Sequence, residues 1–329
     1  MDAMESFVEC VPNISEGTDR ATLTAIAQAI DGHPGAWLLD DSADLDHGRA
    51  VYTMAGYPGR VMGAMEAALA VAIERIAMRA QVGRHPRVGA VDVVPFVPLG
   101  DTSMDQCVTG AREFAERIAD RFALPVYLYA RAATRPQRRK LADIRKPGFE
   151  GLAAAMAQPG GEPDFGPSQP HPTAGATVVG ARPFLIAFNI QLSTADPLVA
   201  RRIATRIRER DGGLPAVQAL GIGLESQGCA QLSMNILDHE RTPLWQVWEQ
   251  AERLAADEGV SLLDSELIGL APAAALVAVA DHIGSGSFHT AEQRLGEAAA
   301  WLRIRRFDPS MALEVRLAQV RERDRDGRR

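Results

Sequence analysis

The 329-residue chain has no run approaching the roughly 18 consecutive apolar residues that a membrane-spanning helix needs. Its first residues, Met1 to Ser6, carry Asp2 and Glu5 and no basic stretch, so no secretory signal is expected. Cysteine is scarce. Cys10, Cys107 and Cys229 lie far apart in sequence, which argues against a disulfide scaffold and a zinc finger and points to a reducing, cytoplasmic setting. Basic charge is also in short supply: 35 Lys and Arg against 42 Asp and Glu leave a net charge of −7. Such a chain is poorly suited to nucleic acid, whose counterions are displaced by basic stripes, and no charge pattern favours a membrane surface. Three signatures are missing as well. No Gly-x-Gly-x-x-Gly follows a strand, no phosphate loop ends in Gly-Lys-Ser/Thr, and no serine sits in a nucleophile elbow.

What is present reads as an ordinary globular protein, with 47% hydrophobic and 23% charged residues. At about 150 residues per domain, the length points to about two domains. Strands are expected over Ser6 to Val11, Ala36 to Leu39, Arg49 to Ala55, Val88 to Leu99 and Pro125 to Tyr129. Helices are expected over Thr18 to Ile30, Arg60 to Ala80 and Thr102 to Phe122. In the second of these, Val61, Met65, Leu69, Ile73 and Ile76 recur at helical spacing. Pro95 and Pro98 cannot donate ladder hydrogen bonds, so the far end of the Val88 strand is expected at a sheet edge or outside the sheet.

A break follows. Residues 131–148 are rich in Arg and Lys, and Pro159, Pro163, Pro167, Pro170 and Pro172 punctuate the next stretch. Proline fixes φ and lacks an amide donor, so neither helix nor central strand is expected there. The pattern then restarts. Strands are expected over Arg182 to Leu192, Ala216 to Leu224, Ala230 to Leu237 and Val260 to Leu263. Helices are expected over Asp196 to Arg210, capped by Thr194, and over Pro243 to Glu258. The order β-α-β-β-α-β is the ferredoxin-like split motif, and the first half reads as the same motif with an added helix and strand. The expected fold class is α/β of the α+β sandwich type: two ferredoxin-like subdomains, each a mainly antiparallel sheet covered by helices. The expected divisions are 1–181, 182–305 and a helical or frayed charged tail over 306–329. The end of that tail, Arg321 to Arg329, has no apolar residue and is expected to fray into solvent.

Four segments carry candidate chemistry. His85 lies in Gly83-Arg84-His85-Pro86-Arg87-Val88-Gly89, between a long helix and a strand. Histidine both takes and gives a proton near neutral pH, although a loop histidine also serves as a plain helix cap. The stretch Asp40-Asp41-Ser42-Ala43-Asp44-Leu45-Asp46-His47 is acid-rich but matches no calcium loop. It reads as an acidic turn between strands or as a group that orients a cationic ligand, and no metal is expected. The Pro/Gly loop Gly166-Pro167-Ser168-Gln169-Pro170-His171-Pro172-Thr173-Ala174-Gly175 reads either as a linker or as a rigid rim for a flat ligand. Arg182, after Gly180-Ala181, suits a carboxylate or a surface ion pair. Cys10 reads as a small buried hydrophobe.

The segment Val8-Glu9-Cys10-Val11-Pro12-Asn13-Ile14-Ser15-Glu16-Gly17 resembles the N-terminal signature of the glutamate formimidoyltransferases. The resemblance continues through His85 to Phe96, Pro125 to Tyr129, Pro163 to Pro167, Gly180 to Ile190, Thr242-Pro243 and Ser265 to Leu270. It spans about residues 6–280, and what remains leaves no room for a cyclodeaminase domain. The resemblance implies a homodimer and a folate site between the two subdomains. It also implies transfer of a formimidoyl group from N-formimidoyl-L-glutamate to N5 of tetrahydrofolate, in histidine degradation. The family's catalytic histidine maps onto His85 as general base and then acid, and its folate loop onto Gly166 to Gly175. Asn13, Asp44, Asp46 and Arg182 are assigned to substrate: the acids to the cationic amidinium, Arg182 to a carboxylate. The implied partners are the two small molecules alone, with tetrahydrofolate as co-substrate and no metal. The chain departs from the family pattern at Arg84, commonly Glu, at Ala80-Gln81-Val82 and at Asn189-Ile190-Gln191-Leu192. Arg84 reverses a charge beside His85, which opens the alternatives of another amino-acid donor, a formyl group, or a folate-binding relative without turnover.

Overall fold

The structure is a computed structural model that describes residues 6–44, 48–81, 86–224, 227–285 and 290–327. The chain divides into two compact units, Met1–Arg182 and Pro183–Arg329. No helix among the described residues is long and apolar enough to cross a membrane.

The first unit runs β1 (Ser6–Cys10), β2 (Asn13–Ile14), α1 (Arg20–Asp31), β3 (Ala36–Asp44), β4 (Arg49–Gly56), α2 (Pro58–Arg75) and β5 (Val91–Gly100). It continues through α3 (Met104–Phe122), β6 (Val126–Ala130), α4 (Leu141–Arg145), α5 (Gly148–Met156) and β7 (Thr177–Ala181). β1 and β2 are two pieces of one strand line lying between β4 and β5, with β3 outside β4. These strands are antiparallel, with α1 and α2 as the crossovers of a split β-α-β-β-α-β motif. β7 then pairs parallel to β5, and β6 parallel to β7. The helices start where local chemistry satisfies their free amides. Asp19 accepts from the Ala21 N–H at 3.0 Å, and Ser103 and Gln106 cap α3 reciprocally. All three long helices fill one face of the sheet. Ile26, Ile30, Met65, Leu69, Phe114 and Ile118 pack there against Val94, Phe96 and Leu128.

The second unit runs β8 (Ile186–Leu192), α6 (Pro197–Ile207), β9 (Val217–Leu224), β10 (Cys229–Ile236), α7 (Leu244–Asp257) and β11 (Leu262–Ile268). α8 (Ala273–His282), α9 (Ala291–Trp301) and α10 (Leu313–Gly327) follow. Its sheet has the order β11-β8-β10-β9 and is antiparallel throughout. This is the split motif read from the sequence.

The structure corrects several expectations. Pro95 and Pro98 lie inside β5, in the middle of the sheet. Pro95 still accepts the Val11 N–H at 3.3 Å, and its missing donor falls at the break between β1 and β2. Pro98 lies past the end of β7, whose pairing with β5 stops at Phe96 and Ala181, so no partner is deprived. The acids at 40–44 are not a turn, because β3 runs through them to Asp44. α2 ends at Arg75, where Ile76 turns extended. α6 is capped by Asp196, which accepts from the Leu198 N–H at 2.8 Å, while Thr194 accepts from Asp196 itself. Residues 158–175 hold no helix and no named strand, as the prolines imply, while α4 and α5 precede them and β7 follows them. β7 is buried at every position, so it shows no alternation from which to be read. Arg182 ends the first unit, its N–H bonded to the Phe96 carbonyl at 3.0 Å, rather than opening β8. The Arg-rich tail is helical as far as Gly327.

Phe114 is fully buried and meets Phe96 edge-on at 5.3 Å. Phe114→Ala is expected to cost about 3–5 kcal/mol in urea unfolding, with an unchanged slope. A cost below about 1 kcal/mol would show that this contact does not organise the core.

Candidate active site

The face of the first sheet away from α1, α2 and α3 carries Glu9 and Asn13 among apolar neighbours. Glu9 lies opposite Ala55 and Val97, and Asn13 opposite Val51 and Val93. Direct antiparallel partners share a face. Val93 packs with Val88, Tyr127, Tyr129 and Val178 beneath Leu152 and Met156 of α5, which fixes the side in question. Glu9 is 1% exposed, an acid alternating with Val8 and Cys10 along an otherwise apolar strand.

The register of β5 against β2 slips between Val91 and Val93, and Asp92 occupies the slip. Such bulges re-aim side chains. The Asp92 carboxylate is 2% exposed, accepts the Val88 N–H at 2.8 Å and pairs with Arg145 of α4. Burial pushes its carboxyl up, against the pull of Arg145, the Val88 amide and, more weakly, Arg49. Arg49 lies opposite Asp44 across β3 and β4. Arg182, at the other end of this face, donates to the Tyr129 hydroxyl. Burial raises the Tyr129 hydroxyl pKa, and Arg182 and Arg145 oppose it. The Cys10 thiol is likewise pushed up by burial and by Glu9. Cys10, Cys107 and Cys229 are all free and buried.

Val82, Gly83, Arg84 and His85 lie outside the described residues, as do Asp46 and His47, and Asp44 is described in its backbone alone. The chain on both sides of 82–85 is firmly held. Glu16 accepts from the Thr18 N–H at 2.7 Å, the Thr18 hydroxyl at 2.8 Å and the Asp19 N–H at 3.0 Å. Its other oxygen accepts from the Gln81 amide at 2.7 Å. Burial raises the Glu16 carboxyl pKa, but these donors outweigh burial and the net shift is downward. Arg87 then donates back to the Gln81 carbonyl at 2.6 Å and to Glu150 of α5 at 3.3 Å.

The Pro/Gly loop lies against the same segment. Met78 N–H bonds to the Thr173 carbonyl at 2.8 Å, Ala90 N–H to Ala174 at 2.9 Å, and Ala176 N–H to Val88 at 3.1 Å. The backbones are too close for side chains at the crossing. A Cβ on Gly89 would lie 2.0 Å from the Ala176 carbonyl oxygen, and one on Gly175, whose φ is +73°, 2.3 Å from that of Val88. Gly166, with φ +82°, approaches Leu124 in the same way. His171 Nδ1 accepts the Ala174 N–H at 3.1 Å, and burial lowers its pKa, so it is a neutral turn-former at pH 7. Pro167, Ser168, Gln169, Pro172 and Thr173 are exposed, Pro170 is half-buried and Ala174 is buried. The structure therefore joins two segments that the sequence singles out separately, 86–90 and 171–176. Asn13 and Arg182 flank the same strand, β5, at Val93 and Phe96. Sequence reading assigns no role to Glu9, Glu16, Asp92, Tyr129 or Arg145. The available signal was an acid placed within an apolar run, at Glu9 and Asp92. Among the described residues no group of three or more His, Cys, Asp or Glu could hold a metal ion.

The described residues give two split α/β units, with the buried acids Glu9 and Asp92 in the first and the chain anchored on both sides of residues 82–85. The model of the formiminotransferase domain, N-terminal subdomain, matches residues 7–182, and that of the formiminotransferase domain matches residues 187–295. The chain is 41% identical over 279 residues to a glutamate formimidoyltransferase of Streptococcus pyogenes, covering 85% of this chain and 93% of that one. It is 43% identical to one of Thermoplasma acidophilum, covering 84% and 92%. It is also 45% identical to the formimidoyltransferase-cyclodeaminase of Rattus norvegicus, covering 83% of this chain and 52% of that longer one. The chain belongs to the formiminotransferase family.

Because the Glu16 pKa is lower in the folded chain than in the unfolded one, its contribution is complete at neutral pH. It is lost as pH falls below the ordinary glutamate range. The stability gap between wild type and Glu16→Gln should therefore be largest near pH 7 and shrink below about pH 4, as urea midpoints will show. A gap independent of pH would mean that the carboxylate charge is not what holds Gln81.

Proposed function

We propose that the chain transfers a formimidoyl group from N-formimidoyl-L-glutamate to N5 of tetrahydrofolate, as a step of histidine degradation. What carries the reading is the identity above 40% to glutamate formimidoyltransferases over nearly their whole length. In this reading N5 attacks the amidine carbon to form a tetrahedral intermediate. N5 must lose a proton, and the departing glutamate nitrogen must gain one before the C–N bond breaks. A histidine with a pKa near the working pH can serve both transfers in turn, and we assign this role to His85. What supports the assignment is the anchoring of both flanks, by Glu16 through Gln81 and by Arg87. A proton shuttle must be held in register with two nitrogens in succession.

The loop Gly166 to Gly175 is assigned to the folate. Its clasp on 88–90 and its exposed Ser168, Gln169 and Thr173 fit a rigid rim with free polar groups. Asn13 and Arg182 are assigned to the glutamate donor, Arg182 to a carboxylate, and Asp44 and Asp46 to the cationic amidinium. No metal is required, since the folate supplies the nucleophile. We place the enzyme in the cytoplasm as a homodimer, following the family resemblance.

The test is a transfer assay with tetrahydrofolate and N-formimidoyl-L-glutamate, following the methenyl product after acid conversion. His85→Ala is expected to lower kcat by about 10²- to 10⁴-fold while tetrahydrofolate still binds. Full activity in His85→Ala would remove the histidine from the mechanism. Wild-type binding of folate without transfer would point to a different donor and to Arg84.

A further inference from the structure

The basic stretch over residues 131–148 is given no role in the transfer proposed above, apart from Arg145, which pairs with Asp92. It holds seven basic residues, Arg131, Arg135, Arg138, Arg139, Lys140, Arg145 and Lys146, against one acid, Asp143, in a chain of net charge −7. Several of the seven have structural partners. Arg135 pairs with Glu162 at 3.0 Å, Arg138 with Asp164 at 2.5 Å, and Arg145 with Asp92. Lys146 has no carboxylate partner among the described residues.

Beside this stretch a cavity of about 550 Å³ opens between β6, α4, α5 and the Gly160–Gly161 turn. That lies within the usual range of small-molecule sites, about 300–1,000 Å³. Its polar floor is already satisfied. The buried Arg138 guanidinium donates to Asp164, to the Gly160 carbonyl at 3.1 Å and to the Glu162 carbonyl, and it lies over the Tyr127 ring at 4.9 Å. The Tyr127 hydroxyl donates to the Gly161 carbonyl at 2.8 Å. What the cavity offers a guest is apolar surface from Tyr127, Ile144, Pro147, Leu152 and Ala155. Its exposed lining groups are Gln137, Asp143 and Lys146.

We propose that this cavity is a second ligand site, for a small organic monocarboxylate with a ring-sized apolar body. The body fills the apolar walls, and the carboxylate accepts hydrogen bonds from Lys146 and Gln137 in the positive field of the stretch. Asp143 repels a second negative charge and restricts the guest to one. The walls are the two helices that hold the reactive segment, since Arg145 of α4 holds Asp92 and Glu150 of α5 holds Arg87. An occupant would brace both.

The test titrates the full chain by calorimetry with phenylacetate, its neutral amide and the dianion phenylmalonate. Phenylacetate is expected to saturate at millimolar concentration, with the amide and the dianion at least about tenfold weaker. Lys146→Gln should weaken phenylacetate about tenfold. Ala155→Leu, which fills the cavity, should abolish binding at an unchanged thermal midpoint. If that variant is destabilised, the exposed Lys146→Gln carries the test alone. No saturation up to about 10 mM, affinity untouched by Lys146→Gln, or displacement by tetrahydrofolate would overturn the proposal.

Discussion

The first unit depends on one close approach of backbone to backbone. Residues 88–90 and 174–176 cross with hydrogen bonds in both directions, and the crossing exists because Gly89 and Gly175 carry no Cβ. On one side of the crossing β5 begins, with Asp92 in its bulge. On the other side β7 begins, the strand that ties β6 to the sheet. Ser15 brings a third segment to the junction, its hydroxyl donating to the Gly89 carbonyl at 2.7 Å. The Pro/Gly loop is thus a structural clasp as well as a surface. Its glycines and His171 hold the shape, and Ser168, Gln169 and Thr173 are exposed.

Two carboxylates near the junction show how environment separates similar groups. Glu16 is buried, yet four donors converge on it and its pKa falls. Asp92 is more deeply enclosed with fewer donors, and burial prevails over Arg145 and the Val88 amide. The balance in each case is between lost hydration and the number of hydrogen-bond donors that replace it. Glu16 is consequently a firm anionic anchor at neutral pH. Asp92 pairs with Arg145, so the position of α4 and the surroundings of Asp92 are linked.

Much of the fold was legible because its elements obey simple periods. The second unit was read in order because each strand is flanked by polar turns and each helix shows an apolar stripe, as in α7 with Val247, Trp248, Ala251 and Leu254. The errors share a cause. Pro95 and Pro98 argued against a central strand, but the gaps in the ladder that accommodate them belong to neighbouring strands. β7 is buried on both faces and carries no alternation, and its proximity to five prolines hid it. Around the candidate site, the Pro/Gly loop and Arg182 stood out in the sequence as residue types in unusual places, and Asn13 entered only through the family resemblance. Glu9, Glu16, Asp92 and Arg145 did not stand out, because a carboxylate or a guanidinium reads as surface until its partner is known.

The sequence by itself determined the two split α/β motifs and the family. These follow from local period, turn chemistry and long ordered motifs, which need no knowledge of distant neighbours. Only the tertiary structure decided that residues 86–90 lie against 171–176, that β7 enters between β5 and β6, and that Arg145 neutralises Asp92. Each of these is a contact between segments far apart in the chain, and its energy comes from burial and close approach, which no local pattern records.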